Sequence, residues 1–362
     1  MSCVFTRRLG GAAISEVRKQ FSTRLWRFIN LALLVLVIGL AVACGGSLSS
    51  PSSTSVPATT VPAGTTLYTY RGHSSLVDAV AWSPDGKYIA SGSDYPTTVQ
   101  VWDASNGHLL LTYRGNSAST TAIAWSPDGK YIASGDSDDK VQVWDARTGT
   151  TRLTYKGHPS YVFTVAWSPD GKYIASGGAY SDVQVWDART GKLFLSYKGN
   201  PMDAFGVNTI SWSPDGKRIA SGGEGRVVHV WDAGSGKELI NYTGHGGGVD
   251  GAIRSVAWSP DGKRIASSAH NDVLVWDASN GHTLTAYNYS GFAGAIAWSP
   301  DSKYIVSSGG NQKGLQIWDA SNGHLLLTYL GTHGGTVAWS PDGKRIASSG
   351  DADGTVQVWE AI

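Results

Sequence analysis

An all-β chain of seven blades, each of four antiparallel strands and together closed into a propeller ring, is the fold class that three regularities of the sequence predict. The first is the segment AWSPDGKYIASG at 81–92, which returns with small changes at 124–135, 166–177, 211–222, 257–268, 297–308 and 338–349. Seven copies at a period of about 40–46 residues mark a repeat architecture. The second is VQVWDA at 99–104, a companion element that follows every copy and closes the series as VQVWEA at 356–361. The third is tryptophan placement: fourteen of the fifteen fall at two fixed positions per repeat, which is how structural residues are distributed.

Each repeat reads as four short strands. In the first, 77–82 is a strand and SPDG at 83–86 is a tight turn, with Pro84 presetting one φ and Gly86 supplying the left-handed position. Residues 88–91 return, 99–103 form the third strand, a second turn follows at 105–107, and 109–113 form the fourth. One such sheet cannot cover both of its apolar faces, so neighbouring blades must stack on them. The seventh repeat supplies only three strands. TLYTYRG at 66–72 matches LLLTYRG at 109–115 and LLLTYLG at 325–331, which are fourth strands. The N-terminal strand is therefore expected to complete the last blade and hide both open edges of the ring.

Gly72-His73 opening the repeat and Trp102-Asp103 ending its third strand, recurring in step with the turns over residues 67–362, resemble the WD-repeat β-propeller family. That resemblance implies a scaffold without catalysis. It also implies a hydrogen-bonded set in each blade: a His before the first strand, a Ser on the second, an Asp before the third, and the Trp. His333, Ser348, Asp353 and Trp359 match it in the seventh repeat. Elsewhere the set looks broken, with Asn116 and Asn200 at the His position and Pro96, Tyr180, Gly225, His270 and Gln312 at the Asp position, while Asp138 keeps its place without the His. Ser302 replaces the turn glycine in repeat six, which is expected to strain that turn by about 1 kcal/mol.

Residues 1–43 read as an address. Six Lys and Arg against Glu16 precede an apolar run at 31–43, short for a membrane span and right for a signal-peptide core. LAVAC at 40–44 resembles the lipobox of bacterial lipoproteins, which implies cleavage before Cys44 and its lipidation; an uncleaved single-pass anchor through 31–43 is the alternative. Both place the remainder on the extracytoplasmic face of the cell membrane. Residues 44–66 are a Ser/Thr/Pro tether too poor in apolar residues to order itself. The repeats at 67–362 then form the propeller domain.

Outside the basic N-terminus the chain carries a net charge of −4 with no basic stripe, which argues against nucleic acid as the partner. With Cys3 and Cys44 as the only cysteines there is no disulfide framework or thiolate metal site. No phosphate loop occurs, and Asp136, Asp138 and Asp139 offer no closing ligand set for calcium. Neither a cofactor, a metal nor a catalytic residue is expected.

Internal comparison locates the expected recognition surface. First-strand Trp to second-strand Ile is 7 residues in all copies, and third-strand Trp to fourth-strand Tyr is 11, so the turns on one side of the disc are constant. The other side varies: fourth-strand Tyr to the next Trp runs 12, 12, 12, 15, 16, 11 and 10 residues. Rigid strands holding unlike loops suit selective binding. Tyr161, Phe163 and Tyr180 in repeat three, with Met202, Phe205, Arg226, Asp250 and Arg254 over repeats four and five, are the candidate contacts for a protein or peptide partner. A small ligand or a hydrolytic centre in the central channel is the alternative function.

Overall fold

The computed structural model describes residues 61–362 apart from 181, 198–205, 247–250, 271, 289–292, 310–313, 332–334 and 351–352. The apolar run, Cys44, Met202, Phe205, Asp250 and His333 lie outside the described residues. Seven four-stranded antiparallel sheets make up the domain. In chain order its opening strands are β1 (Thr66–Tyr70), β2 (Val77–Trp82), β3 (Tyr88–Ser93), β4 (Val99–Asp103) and β5 (Leu109–Tyr113). β2 to β5 form blade one, and blades two to six repeat that order. Blade seven takes Val337–Trp339, Arg345–Ser349 and Val356–Glu360, and β1 completes it.

The closing register pairs Thr66 with Trp359, Tyr68 with Val358 and Tyr70 with Val356. Just before β1 the backbone amide of Gly64 donates to the carbonyl of Glu360 at 2.8 Å, and Glu360 N donates to Thr65 O at 2.9 Å. Both ends of the ring are thereby joined by main-chain bonds, with the strand expected from the sequence in the expected place.

The core lies between blades rather than within them. One cluster joins Tyr70, Ala347, Val356 and Val358 of blade seven to Val77, Trp82, Ile89 and Trp102 of blade one. The two tryptophans of a repeat do different work there. In five blades the first-strand indole donates to the backbone of the preceding blade, as Trp125 Nε1 does to Ala81 O and Trp167 Nε1 to Ala124 O, both at 3.1 Å. The third-strand Trp is covered by the fourth-strand Tyr of the preceding blade: Tyr70 stacks on Trp102 at 4.5 Å between centroids, and Tyr113 on Trp144 at 4.3 Å. Both rings are nearly parallel to the indole they cover, a geometry that adds about 1 kcal/mol to simple burial.

Candidate functional site

Antiparallel order sends the first-to-second and third-to-fourth connections of every blade to one side of the disc. On that side each turn satisfies itself. The Ser83 hydroxyl donates to Asp85 at 2.6 Å, Gly86 N donates to Ser83 O at 2.9 Å, and Gly86 takes φ 69°. In the other hairpin the Asp103 carboxylate accepts from Ser105 N at 2.7 Å. Ser302 takes the left-handed φ of 63° that its turn demands. Its hydroxyl also accepts from Asp261 N of the neighbouring blade at 3.0 Å, a bond glycine could not make, which offsets the expected strain.

Opposite lies the variable side. Charge separates the two: among the described residues the constant side carries fifteen Lys/Arg and fifteen Asp/Glu, the variable side six against nine. The net negative charge of the described residues therefore falls on the side whose loops differ. Tyr161 and Tyr180 stand 52% and 72% exposed, and Phe163 sits at the threshold of exposure on its first strand. Tyr180 and Arg226 both occupy left-handed backbone, at φ 49° and 64°, which turns their short connections outward. Arg226 lies over Gly251, where any side chain would press on its Cδ. Arg254 is exposed.

Sequence reasoning passed over Tyr95, which is 77% exposed in the corresponding connection of blade one. It also passed over the inner ring. The position four before each first-strand Trp reads Asp78, Thr121, Phe163, Asn208, Arg254, Gly294 and Gly335. First strands are innermost, and these residues sit at their variable-side ends. Thr121 Oγ1 donates to Val162 O, and Asn208 Nδ2 to Ile253 O at 3.2 Å, each reaching the next blade. Asn208 also donates to Glu224 at 3.1 Å. Burial pushes the Asp78 carboxyl up to about 6, and the charge of Asp94 adds to the effect. This column varies within an otherwise constant strand, and that variation was the available signal.

Beneath this surface the intrablade networks differ from expectation. Trp Nε1 donates to the second-strand Ser in six blades, from Trp102–Ser91 at 3.0 Å to Trp359–Ser348 at 3.1 Å. Since indole only donates, the hydroxyl proton is free for the next member. In blade two that member is Asn116, whose Oδ1 accepts from Ser134 at 3.0 Å while its amide donates to Thr120 at 2.8 Å. Asn116 thus replaces the His instead of breaking the chain, and Asp138 pairs with Ser117 and Lys140. In blade five the residue expected at the Asp position was His270; Asp272 does that work. His245 bonds Ser267 at 2.7 Å and Asp272 at 2.6 Å, completing the set. Blades one and three are open: His73 and His158 bond Ser91 and Ser176, but each buried Nδ1 lacks a partner. Burial holds both imidazoles down to about 4. In blade seven Asp353 accepts from Thr355 N and Oγ1 at 3.0 and 2.7 Å.

Among the described residues no group of three or more His, Cys, Asp or Glu could hold a metal ion, and none of their helices is long and apolar enough to cross a membrane. A family model described as "WD domain, G-beta repeat" matches residues 64–103, 107–145, 149–187, 191–232, 236–277, 280–319 and 323–360. No curated protein matches the chain.

Proposed function

The chain belongs to the WD-domain, G-beta-repeat family, whose propellers serve in general as protein-interaction scaffolds, and from that premise we propose that it docks a protein or peptide partner on its variable side. One observation carries the reading: the departures from the repeat in loop length and net charge fall on the same side of the disc, and four exposed aromatics, Tyr95, Tyr161, Phe163 and Tyr180, stand there with them. Tyr95, Tyr161, Phe163 and Tyr180 offer aromatic anchors. The acidic excess favours a partner segment that presents Lys or Arg beside apolar side chains, with attraction that weakens as salt rises.

In this reading the domain works outside the cell membrane, held by lipidated Cys44 or by the 31–43 run. Mass spectrometry of the mature N-terminus separates the two, since a lipidated chain starts at Cys44. For the docking surface, affinity capture from solubilised membranes of the native host is compared between wild type, Tyr161→Ala/Tyr180→Ala, and Lys172→Ala/Arg189→Ala on the constant side. A specific partner should be lost roughly tenfold or more from the tyrosine variant alone. Retention by that variant, or equal loss from the constant-side variant, would overturn the assignment.

A small-ligand site in the channel has Asp78 in its favour, an inner-ring carboxyl that burial pushes up to about 6. A metabolite that raises the melting temperature of wild type but not of Asp78→Asn would support it.

A further inference from the structure

On the constant side neighbouring blades leave a cleft between them, and the residue that opens the second strand decides how far it is filled. Arginine stands there in blades four, five and seven. Arg218, Arg264 and Arg345 reach into the next blade and lie over Trp258, Trp298 and Trp82, at 4.5, 4.9 and 4.9 Å from the ring centroids. Arg218 Nη1 also donates to Ala278 O and Arg345 Nη1 to Ala104 O, each at 2.8 Å. The three tryptophans beneath are buried. Blades one, two, three and six have a tyrosine instead: Tyr88, Tyr131, Tyr173 and Tyr304.

Among the four clefts behind a tyrosine, the one between blades two and three stands apart in charge. Two positions flank each cleft: the second residue of the fourth strand, and the residue that follows the alanine after the next blade's third strand. In chain order the pairs read Leu110 with Arg147, Arg152 with Arg189, Phe194 with Gly234, and Leu326 with Ile362. Only the second pair is cationic at both places. That cleft holds a cavity of about 390 Å³ with Arg152, Arg189 and Lys130 in its lining, a volume within the usual range of small-molecule sites. Trp167 and Ala188 also line it. They are the counterparts of the Trp258 and Ala278 that Arg218 meets, and Trp167 is only partly buried. The cavity between blades one and two is smaller, about 300 Å³, and its lining has Asp85 and Asp128 but no cation.

The two carboxylates in the larger cleft are engaged. Asp128 accepts from Ser126 at 2.7 Å and pairs with Lys130 at 3.2 Å; Asp170 accepts from Ser168 at 2.7 Å and pairs with Lys172 at 2.9 Å. The two guanidiniums are not. Arg152 lies over the Tyr131 ring at 4.9 Å and donates to its hydroxyl, and neither it nor Arg189 forms an ion pair among the described residues. A guanidinium is a planar fork that suits carboxylate and phosphate. Two of them beside a partly exposed indole fit a negative charge carried on a flat apolar body. We propose that the cleft between blades two and three binds a small aromatic anion, a ring bearing a carboxylate or a phosphate, with Arg152 and Arg189 on the charge and Trp167 against the ring. This is a second site, on the side of the disc away from the docking surface proposed above, and it does not depend on that surface.

Fluorine NMR of 4-fluorobenzoate and 4-fluorophenyl phosphate, titrated with the full-length chain at physiological salt, tests this. At least one probe should broaden with an affinity tighter than about 1 mM, and the tighter of the two identifies the preferred anion. Arg152→Gln/Arg189→Gln should weaken that binding tenfold or more. Arg147→Gln, at the place in blade two that matches Arg189, should leave it unchanged. Tyr131→Arg copies blades four, five and seven: its guanidinium should cover Trp167 and close the cleft, so binding should fall although a positive charge has been added. Circular dichroism identical to wild type checks that each variant keeps its sheets. Four outcomes would each overturn the proposal: no binding of either probe, equal binding of neutral fluorobenzene, tighter binding by Tyr131→Arg, or displacement by an equal concentration of inorganic phosphate, the mark of an adventitious ion only.

Discussion

Blades three and five contain nearly the same side chains and build different interiors from them. Each has a buried His, a second-strand Ser, a third-strand Trp and an Asp four residues before that Trp. In blade five the four are joined, with Asp272 closing on His245 at 2.6 Å. In blade three Asp182 accepts instead from Ser196 on the fourth strand at 2.9 Å, and His158 Nδ1 is left without a partner. Two differences account for this. Second-strand Ser to Trp spans 9 residues in blade five and 10 in blade three, so the shorter connection draws its Asp over the His. Ala286 stands in blade five where Ser196 stands in blade three, and offers Asp272 no competing hydroxyl. A network depends on reach and competition as well as on its members.

The largest effect should come from opening the ring that all blades share. Removing residues 59–70 takes away β1, the Tyr70–Trp102 stack and the Tyr70 hydroxyl bond to Gln100. A melting temperature lower by on the order of 10 °C is expected in a calorimetric scan. An unchanged value would show that the ring does not depend on its closing strand.

Next, Asp272→Ala converts blade five to the open state of blade three. An orphaned buried N–H should cost about 1–3 kcal/mol, read by chemical denaturation. No loss would mean that the closed network adds nothing over the open one.

The open blades should set the response to acid. Unfolded imidazoles take up protons below about 6.5, while His73 and His158 do so only near 4. Lowering the pH through that window therefore favours the unfolded chain. Asp78 acts in the opposite sense, because its carboxyl near 6 in the fold, against 3.8 unfolded, binds a proton more readily than in the unfolded chain. Two histidines outweigh one carboxyl, and stability should fall between about 6.5 and 4. Blade two supplies the means to remove the effect. Transplanting its Asn–Thr pair as His73→Asn/Val77→Thr and His158→Asn/Val162→Thr should flatten the decline, with a change at neutral pH within about 1 kcal/mol. A decline of the same steepness would assign the acid response elsewhere.

The smallest effect is expected at Ser302→Gly. Relief of the left-handed backbone is offset by the lost bond to Asp261 N, so stability should change by less than about 0.5 kcal/mol. A gain above about 1 kcal/mol would show that the turn is strained after all.

Blade number, strand order, ring closure by 66–70 and the division into constant and variable sides were all legible in the chain. They rest on local signals repeated seven times: a Pro-Asp-Gly turn, alternating apolar residues and a Trp at fixed spacing each state the same structure independently. Tyr161, Phe163 and Tyr180 could be placed on the variable side because they sit beside those markers. The substitutions within the networks were misjudged. Reading Asn116 as a break and His270 as the residue in place of Asp compares positions along a chain, whereas a hydrogen bond depends on what lies within 3 Å across strands. Only the tertiary structure decided that Asn116 accepts from Ser134 and that Asp272 reaches His245. Contacts between strands and between blades depend on loop length and on neighbours distant in the chain, and a periodic sequence holds those constant everywhere except where it varies.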